Sequence, residues 1–391
     1  MHRRNFLKTS GIAALPSLGA AIPLSGLATG HQLTDQSAPL YFFFDGPMYK
    51  PAELIAKLQE ANTANAIQPD SYGEGGVVEA LEKKFMGITG KEAAIYMPSG
   101  TMANQLAIAV LCGDNTKVFV QEASHVFRDE ADAAQSIHNK RLIPLAPNEP
   151  TFTLEMLQAS LKYHEEGEVF KSGIGAIAIE SPVRRCDGRA VPIEEIKKIA
   201  AFCKEKGYKL HFDGARVHLA SAFNGVPVGE YARHFDTVYI SLYKYLGAPG
   251  GAMLCGDKAV IGKMRHLMKV HGGTMYQSWV NAAMALHHLE GLDERLKKMA
   301  QQAQELFSQL NGLPGIKISP LPNGSNIFHL ELGNTVDLAK LRETLNKKYN
   351  IFMPGRRGSD PIRITVNESL LKRDNKTLVA AFKDSLQAAK V

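Results

Sequence analysis

Cysteine is scarce in this 391-residue chain: Cys112, Cys186, Cys203 and Cys255 form no C-x-x-C pair and are not spaced with histidines as zinc ligands are. That argues against a bound metal, and their strand and helix settings favour free, buried thiols, with pairing left open. A stripe of Lys and Arg interleaved with aromatics is also missing. The net charge is a modest +6, part of it within "MHRRNFLK", so nothing points to a nucleic-acid partner. No G-x-x-x-x-G-K-[ST] or G-x-G-x-x-G follows an apolar run, which removes the main support for nucleoside triphosphate or dinucleotide binding. What is present is a 45% hydrophobic chain, long enough for one large domain and a smaller one.

The one long uncharged run lies at the start. "RRNFLK" precedes an Ala/Leu/Gly/Pro-rich stretch reaching about residue 30, the pattern of a twin-arginine export signal. Its prolines and glycines make a spanning helix the poorer reading, and no later segment resembles it. The expectation is an exported, periplasmic protein with no stable membrane anchor once residues 1–35 are removed.

From about residue 90, short runs apolar on both faces alternate with helical stretches: "AAIYM", "KVFVQ", "RLIPL", "GAIAIES", "KLHFDGA", "TVYISLY" and "GAMLCG". This predicts an α/β fold with a mostly parallel seven-stranded sheet covered on both sides. After about residue 275 a long helix, "VNAAMALHHLEGLDERLKKMAQQAQELFSQL", and the runs "KISPL", "NIFHLEL", "NIFMPG" and "PIRITV" predict a small α+β domain. The boundaries are therefore 36–280 for the large domain with its N-terminal arm and 281–391 for the small one. The segment "PAELIAKLQEAN" (51–62) is expected to pack near their junction.

Ligands of open α/β sheets bind beyond the carboxyl ends of the strands, so polar residues at those ends carry the information. After "AAIYM" come Ser99, Gly100 and Thr101, opening a helix whose free N–H groups suit an anion or simply a cap. After "KLHF" stand Asp213 and Arg216, either a structural ion pair or a carboxylate waiting for a protonated ring nitrogen. Thirty-one positions beyond Asp213 comes Lys244 in "SLYKYLGAPGG". A lysine there is either a solvated loop residue or one whose pKa burial depresses, so that its neutral amine can form a Schiff base. Anion cradle, acid and lysine at successive strand ends meet the requirements of pyridoxal 5'-phosphate. His125, just past "KVFVQ", is placed to stack on its pyridine ring.

The chain resembles the aromatic amino acid β-eliminating lyase and threonine aldolase family of fold-type I pyridoxal-phosphate enzymes. The resemblance covers roughly residues 40 to 370 through "DSYGEGGVVEALE", "PSGTMANQLA", "SHVFRDE", "HFDGARVHLA", "SLYKYLGAP", "HGGTMYQS" and "PIRITV". It implies that Lys244 is the Schiff-base lysine, Asp213 the pyridinium partner and His125 the stacking residue. Gly100 and Thr101 would hold the phosphate, Arg216 would lie by the phenolic oxygen and the substrate carboxylate, and Arg363 would be the second carboxylate clamp. A homodimer or homotetramer is implied too, with Tyr276 serving a neighbouring subunit's phosphate.

The departures are informative. Phe44 stands where the family has a carboxylate-binding serine, and "ESPVRRCDG" puts Val183 or Arg184 where it often has a histidine. "MYQ" replaces "MRQ", so Tyr276 takes the place of a phosphate-contacting arginine, and "YKY" replaces "SKG" around the lysine. These changes leave cofactor binding in place and alter the substrate pocket. The run "YFFF" (41–44) is then either a buried strand or the wall of an apolar pocket. The activity implied is cleavage of a β-hydroxy-α-amino acid to glycine and an aldehyde, with Lys244, Asp213 and His125 catalytic and His125 taking the hydroxyl proton. β-Elimination or another Cα reaction is the alternative, and an exported homologue without turnover is a further one.

Overall fold

The computed structural model describes residues 37–356 and 361–391, all within one compact unit. The expected export signal lies outside the described residues.

Seven strands form the main sheet: β2 (Ala93–Met97), β3 (Lys117–Gln121), β4 (Arg141–Leu145), β5 (Ile174–Glu180), β6 (Lys209–Asp213), β7 (Thr237–Ser241) and β8 (Ala252–Gly256), in the order β2-β8-β7-β6-β5-β3-β4. β3 to β7 pair in parallel, and only β8 runs antiparallel to its neighbours β2 and β7. Both faces are covered, so β3, β7 and β8 are buried throughout and read as unbroken apolar runs. Helix α1 (Pro51–Ala64) is largely exposed and packs on the helix Trp279–Leu289. Helices α2 (Gly76–Thr89) and α3 (Gly100–Cys112) cover the sheet, α3 so completely that Asn104 and Gln105 are buried among its apolar residues.

A second sheet, β12-β10-β9, is antiparallel and comes from β9 (Ile316–Pro320), β10 (Ile327–Leu332) and β12 (Ile362–Thr365). The long helix expected before it is two helices, Trp279–Leu289 and Leu292–Leu310. Gly291 breaks them apart at φ 62°, a left-handed conformation that glycine takes without steric cost. All four cysteines are free; Cys112, Cys203 and Cys255 are buried, whereas Cys186 is half-exposed.

The N-terminal arm is sewn to the C-terminal part of the chain. β1 (Leu40–Tyr41) pairs in parallel with β11 (Ile351–Phe352), and Asn367 Nδ2 donates to the carbonyls of Tyr41 (2.7 Å) and Phe44 (2.9 Å). "YFFF" is thus a strand only at its first residue. Phe42 enters the core, whereas Phe43 and Phe44 are half-buried; Phe43 packs edge-on with both Tyr41 and Phe44, and Tyr41 is stacked on Phe352. This anchoring delivers Asp45 and Gly46 to Lys244: a Cβ at Gly46 would come 2.4 Å from the Tyr245 Cα and 2.7 Å from the Lys244 carbonyl oxygen.

Candidate active site

The register of the parallel strands sets the site. Glu180 at the end of β5 lies opposite Asp213 at the end of β6, and Asp213 lies opposite Tyr239 on β7. In-register neighbours of a parallel sheet present their side chains to the same face, so these three form one row. Ser241 ends β7, and Lys244 follows three residues later in the turn rather than in the strand itself.

Asp213 is buried, and each of its oxygens accepts one hydrogen bond. Its Oδ2 accepts from Asn104 Nδ2 (3.0 Å) and its Oδ1 from the Ala215 N–H (3.2 Å). Asn104, one turn into α3, also donates to Glu130 Oε1 (2.7 Å) and accepts from His211 Nε2 (2.9 Å). The other His211 nitrogen accepts from the Thr237 hydroxyl (2.8 Å), and burial pulls this imidazole down to about 4, so it stays neutral. Glu130 in turn meets His125 Nδ1 at 2.9 Å. That hydrogen bond raises the His125 pKa against the effect of burial, while burial raises the Glu130 carboxyl. The His125 N–H donates to Glu180 Oε2 (2.6 Å) and the Arg184 N–H to Glu180 Oε1 (2.9 Å), so one carboxylate ties together the segments after β3 and β5. Burial, with Asp213 beside it, raises Glu180 to about 7.

His125, Glu130 and Asp213 place nitrogen and oxygen atoms within 4.8 Å of one another, a spacing a metal would also accept. Glu130 Oε1 and both Asp213 oxygens already accept hydrogen bonds from Asn104, His125 or Ala215. These three side chains therefore belong to one hydrogen-bond network centred on Asn104.

Lys244 is half-buried, with its amine 6.0 Å from the Tyr239 ring centre and 5.8 Å from that of Tyr243. Burial, helped by the positive charge of Arg216, lowers its pKa to about 8, while Asp213, Glu180 and Asp45 oppose the shift. At pH 7 about a tenth of the amine is therefore neutral and nucleophilic, far more than for an ordinary lysine. Arg216 does not pair with Asp213. Its Nε donates to Asp45 Oδ2 at 2.7 Å, and both side chains are nearly buried. Burial pushes the Asp45 carboxyl up, but Arg216, with Arg184 beyond it, overrides this and holds it below the usual range. Arg363 pairs through Nε with Asp187, which also accepts from His329 Nε2 (2.9 Å).

The start of α3 fits an anion. Ser99 is its N-cap, accepting from the Met102 N–H (3.2 Å). Gly100 is required by packing, since a Cβ there would stand 2.0 Å from the Tyr239 hydroxyl. Buried Ser241 Oγ has the Tyr239 hydroxyl as a neighbour but no hydrogen bond of good geometry among the described residues. Thr274 Oγ1 is likewise buried and unsatisfied, in the loop whose Gly273 abuts Met102 and Pro98. Free helix N–H groups and two orphaned hydroxyls are what a phosphate would satisfy. Tyr276 is 64% exposed and its ring contacts Tyr72, apart from the cluster around Lys244.

The structure thus gathers Lys244, Asp213, His125 and Arg216 at one sheet edge beside Ser99–Thr101, with Arg363 reaching the same side through the Asp187 pair. Sequence reasoning missed Asp45, Asn104, Glu130, Glu180 and Ser241. Two adjacent amides inside an apolar helix, and a glutamate five residues after His125, were the available signals for Asn104 and Glu130.

A parallel sheet with a lysine of lowered pKa, a buried acid on the neighbouring strand and a helix-start anion cradle define a fold-type I pyridoxal-phosphate lyase. Residues 52–332 match the family model described as "Beta-eliminating lyase", and the chain belongs to that family. It is similar to the low-specificity L-threonine aldolase of Candida albicans, 34% identical over 75% of this chain and 78% of that one. The corresponding Saccharomyces cerevisiae protein is 30% identical over 80% and 79%. A crystal structure assigned as an aromatic amino acid β-eliminating lyase/threonine aldolase from Exiguobacterium superposes with a TM-score of 0.76 at 27% identity, covering 91% of this chain and 98% of that one.

Proposed function

We propose that the protein is a pyridoxal-phosphate-dependent aldolase that cleaves β-hydroxy-α-amino acids of the threonine type to glycine and an aldehyde. The observation that carries this reading is Lys244, held beside Asp213 and Arg216 with its pKa lowered to about 8. When bound, the cofactor supplies an aldehyde for amines and a conjugated ring that takes up the electron pair released as the Cα–Cβ bond breaks. Asp213, fixed by Asn104 and the Ala215 N–H, holds the proton on the pyridine nitrogen. Ser99, Gly100, Thr101 and Ser241 hold the phosphate at the start of α3. Lys244 would hold the cofactor's aldehyde through its amine and, beside Asp213 and Arg216, would be a nearby proton carrier for the substrate.

Arg216 spends only Nε on Asp45, which leaves its terminal nitrogens for the substrate carboxylate, with Arg363 as the second clamp. His125, directly or through a water, takes the β-hydroxyl proton, and its Glu130 partner raises its basicity. Incubation of the purified holoenzyme with threonine, phenylserine and a β-substituted alanine tests the assignment. Glycine and an aldehyde support it; keto acid and ammonia from the substituted alanine alone would replace it by β-elimination.

The exposed Ile55, Tyr72, Met275 and Tyr276 support a homodimer or homotetramer in which Tyr276 serves a neighbouring subunit's phosphate. Export through the twin-arginine signal to the periplasm is part of the same reading; fractionation of cells expressing the chain, with and without its arginine pair, tests it. No described helix is long and apolar enough to cross a membrane.

A further inference from the structure

Arg184 is the one guanidinium of the site that the reading above leaves without work. It opens the short 3-10 turn Arg184–Cys186 after β5, and its backbone is pinned by Glu180 Oε1. The side chain is half-buried and makes no hydrogen bond or ion pair among the described residues. The carboxylates in its surroundings are Asp45 and Asp187. Both are already engaged, Asp45 by Arg216 Nε and Asp187 by Arg363 Nε and His329 Nε2. Among the described residues, neither carboxylate is therefore left for the Arg184 side chain. Burial disfavours its charge, with Arg216 adding to the repulsion, yet an arginine cannot relieve the strain by losing its proton. A half-buried guanidinium in this position is satisfied by an incoming anion.

Its location says which anion. The two oxygens of Glu180 hold the backbone N–H groups of Arg184 and His125, so the turn that presents Arg184 lies one carboxylate away from the residue assigned to the β-hydroxyl. The substrate α-carboxylate already has Arg216 and Arg363. We propose that Arg184 binds an anionic group attached to the substrate β-carbon, making β-hydroxy-α-amino diacids, of which 3-hydroxyaspartate is the shortest, the preferred substrate class. This rests on the aldolase reading. In the reaction the Cα–Cβ bond breaks, the β-hydroxyl proton leaves as the C=O forms, and the electron pair retained on Cα is finally protonated. The products are glyoxylate and glycine.

The test compares kcat/KM of the holoenzyme for 3-hydroxyaspartate and threonine in the wild type, Arg184→Gln and Arg184→Lys. The wild type is expected to favour the diacid by about tenfold or more, the range of a charged hydrogen bond. Arg184→Gln should lower the ratio of the two values by at least about tenfold, mainly through KM, and Arg184→Lys should restore part of it. A wild-type ratio near one, or an equal loss on both substrates, overturns the proposal while the aldolase reading stands. Titration of the visible spectrum with aspartate and alanine separates the two questions, because neither has a hydroxyl to cleave. Tighter binding of aspartate that Arg184→Gln abolishes supports the role of Arg184 even if no aldehyde is released; equal affinities contradict it.

Discussion

The two sides of the site are built on opposite principles. On the cofactor side, Thr237, His211, Asn104, Asp213, Glu130 and His125 form a buried chain in which the donors and acceptors answer one another. On the arginine side, Arg216 pairs with Asp45 and Arg363 with Asp187, while the half-buried Arg184 guanidinium has no partner among the described residues. A satisfied network fixes geometry and protonation state before any ligand arrives. A guanidinium without a partner instead stores attraction for a ligand of the opposite sign. On the function proposed here, the difference teaches that rigidity would serve the cofactor and selectivity would lie at the more open arginine face.

Several changes would break or sharpen this contrast. Lys244→Ala removes the amine beside Asp213 and should abolish covalent cofactor attachment, with activity falling on the order of 10⁴-fold, as read from visible absorbance and aldehyde release. Asp213→Asn removes the charge that keeps the ring nitrogen protonated, and kcat should fall roughly 10²-fold or more while the protein remains folded. On the arginine side, Asp45→Ala strands Arg216 in a nearly buried position. A loss of about 3 kcal/mol in stability is expected from denaturant titration, larger than for an exposed pair. Asn104→Ala leaves Asp213 Oδ2 and His211 Nε2 without their partner, takes one of two donors from Glu130, and should cost about 1–3 kcal/mol. Equal, negligible losses at Asp45 and Asn104 would erase the distinction between the two sides.

The smallest effect concerns pH. Lys244 titrates lower in the folded protein than in the unfolded chain, so its neutral form is favoured by folding. Its contribution penalises the folded state below about pH 8, and the penalty fades as pH rises through the folded value of about 8 toward the ordinary lysine range. Cofactor loading onto the apoprotein should accordingly speed up with pH and level off above about 8. A rate that keeps climbing toward pH 10 or beyond would mean an ordinary solvated lysine.

Much of this was legible in the sequence. β2, β3 and β4 lie where "AAIYM", "KVFVQ" and "RLIPL" stand, because short β-branched and aromatic runs mark strands even at the sheet's end, where β4 exposes Arg141 and Pro144. Lys244, Asp213 and the start of α3 were readable as polar residues at strand ends. The break at Gly291 was not, since a lone glycine within a helical pattern does not reveal whether the backbone passes through it or turns. The Arg216–Asp45 pair joins residues 171 apart in the chain, brought together only because the N-terminal arm is sewn to β11 and Asn367. Asn104 looked like one helix residue among many, and its three-way bridging of Asp213, Glu130 and His211 appears only when α3 is laid across β6. Long-range pairing of polar residues leaves no period in the sequence for pattern reading to find.

The most direct measurement is to reduce the purified holoenzyme with borohydride, digest it and locate the cofactor by mass spectrometry. Attachment at the Lys244 nitrogen, lost in Lys244→Ala, is the predicted result. Attachment at a different lysine, or a protein that takes up no cofactor at all, would contradict the account.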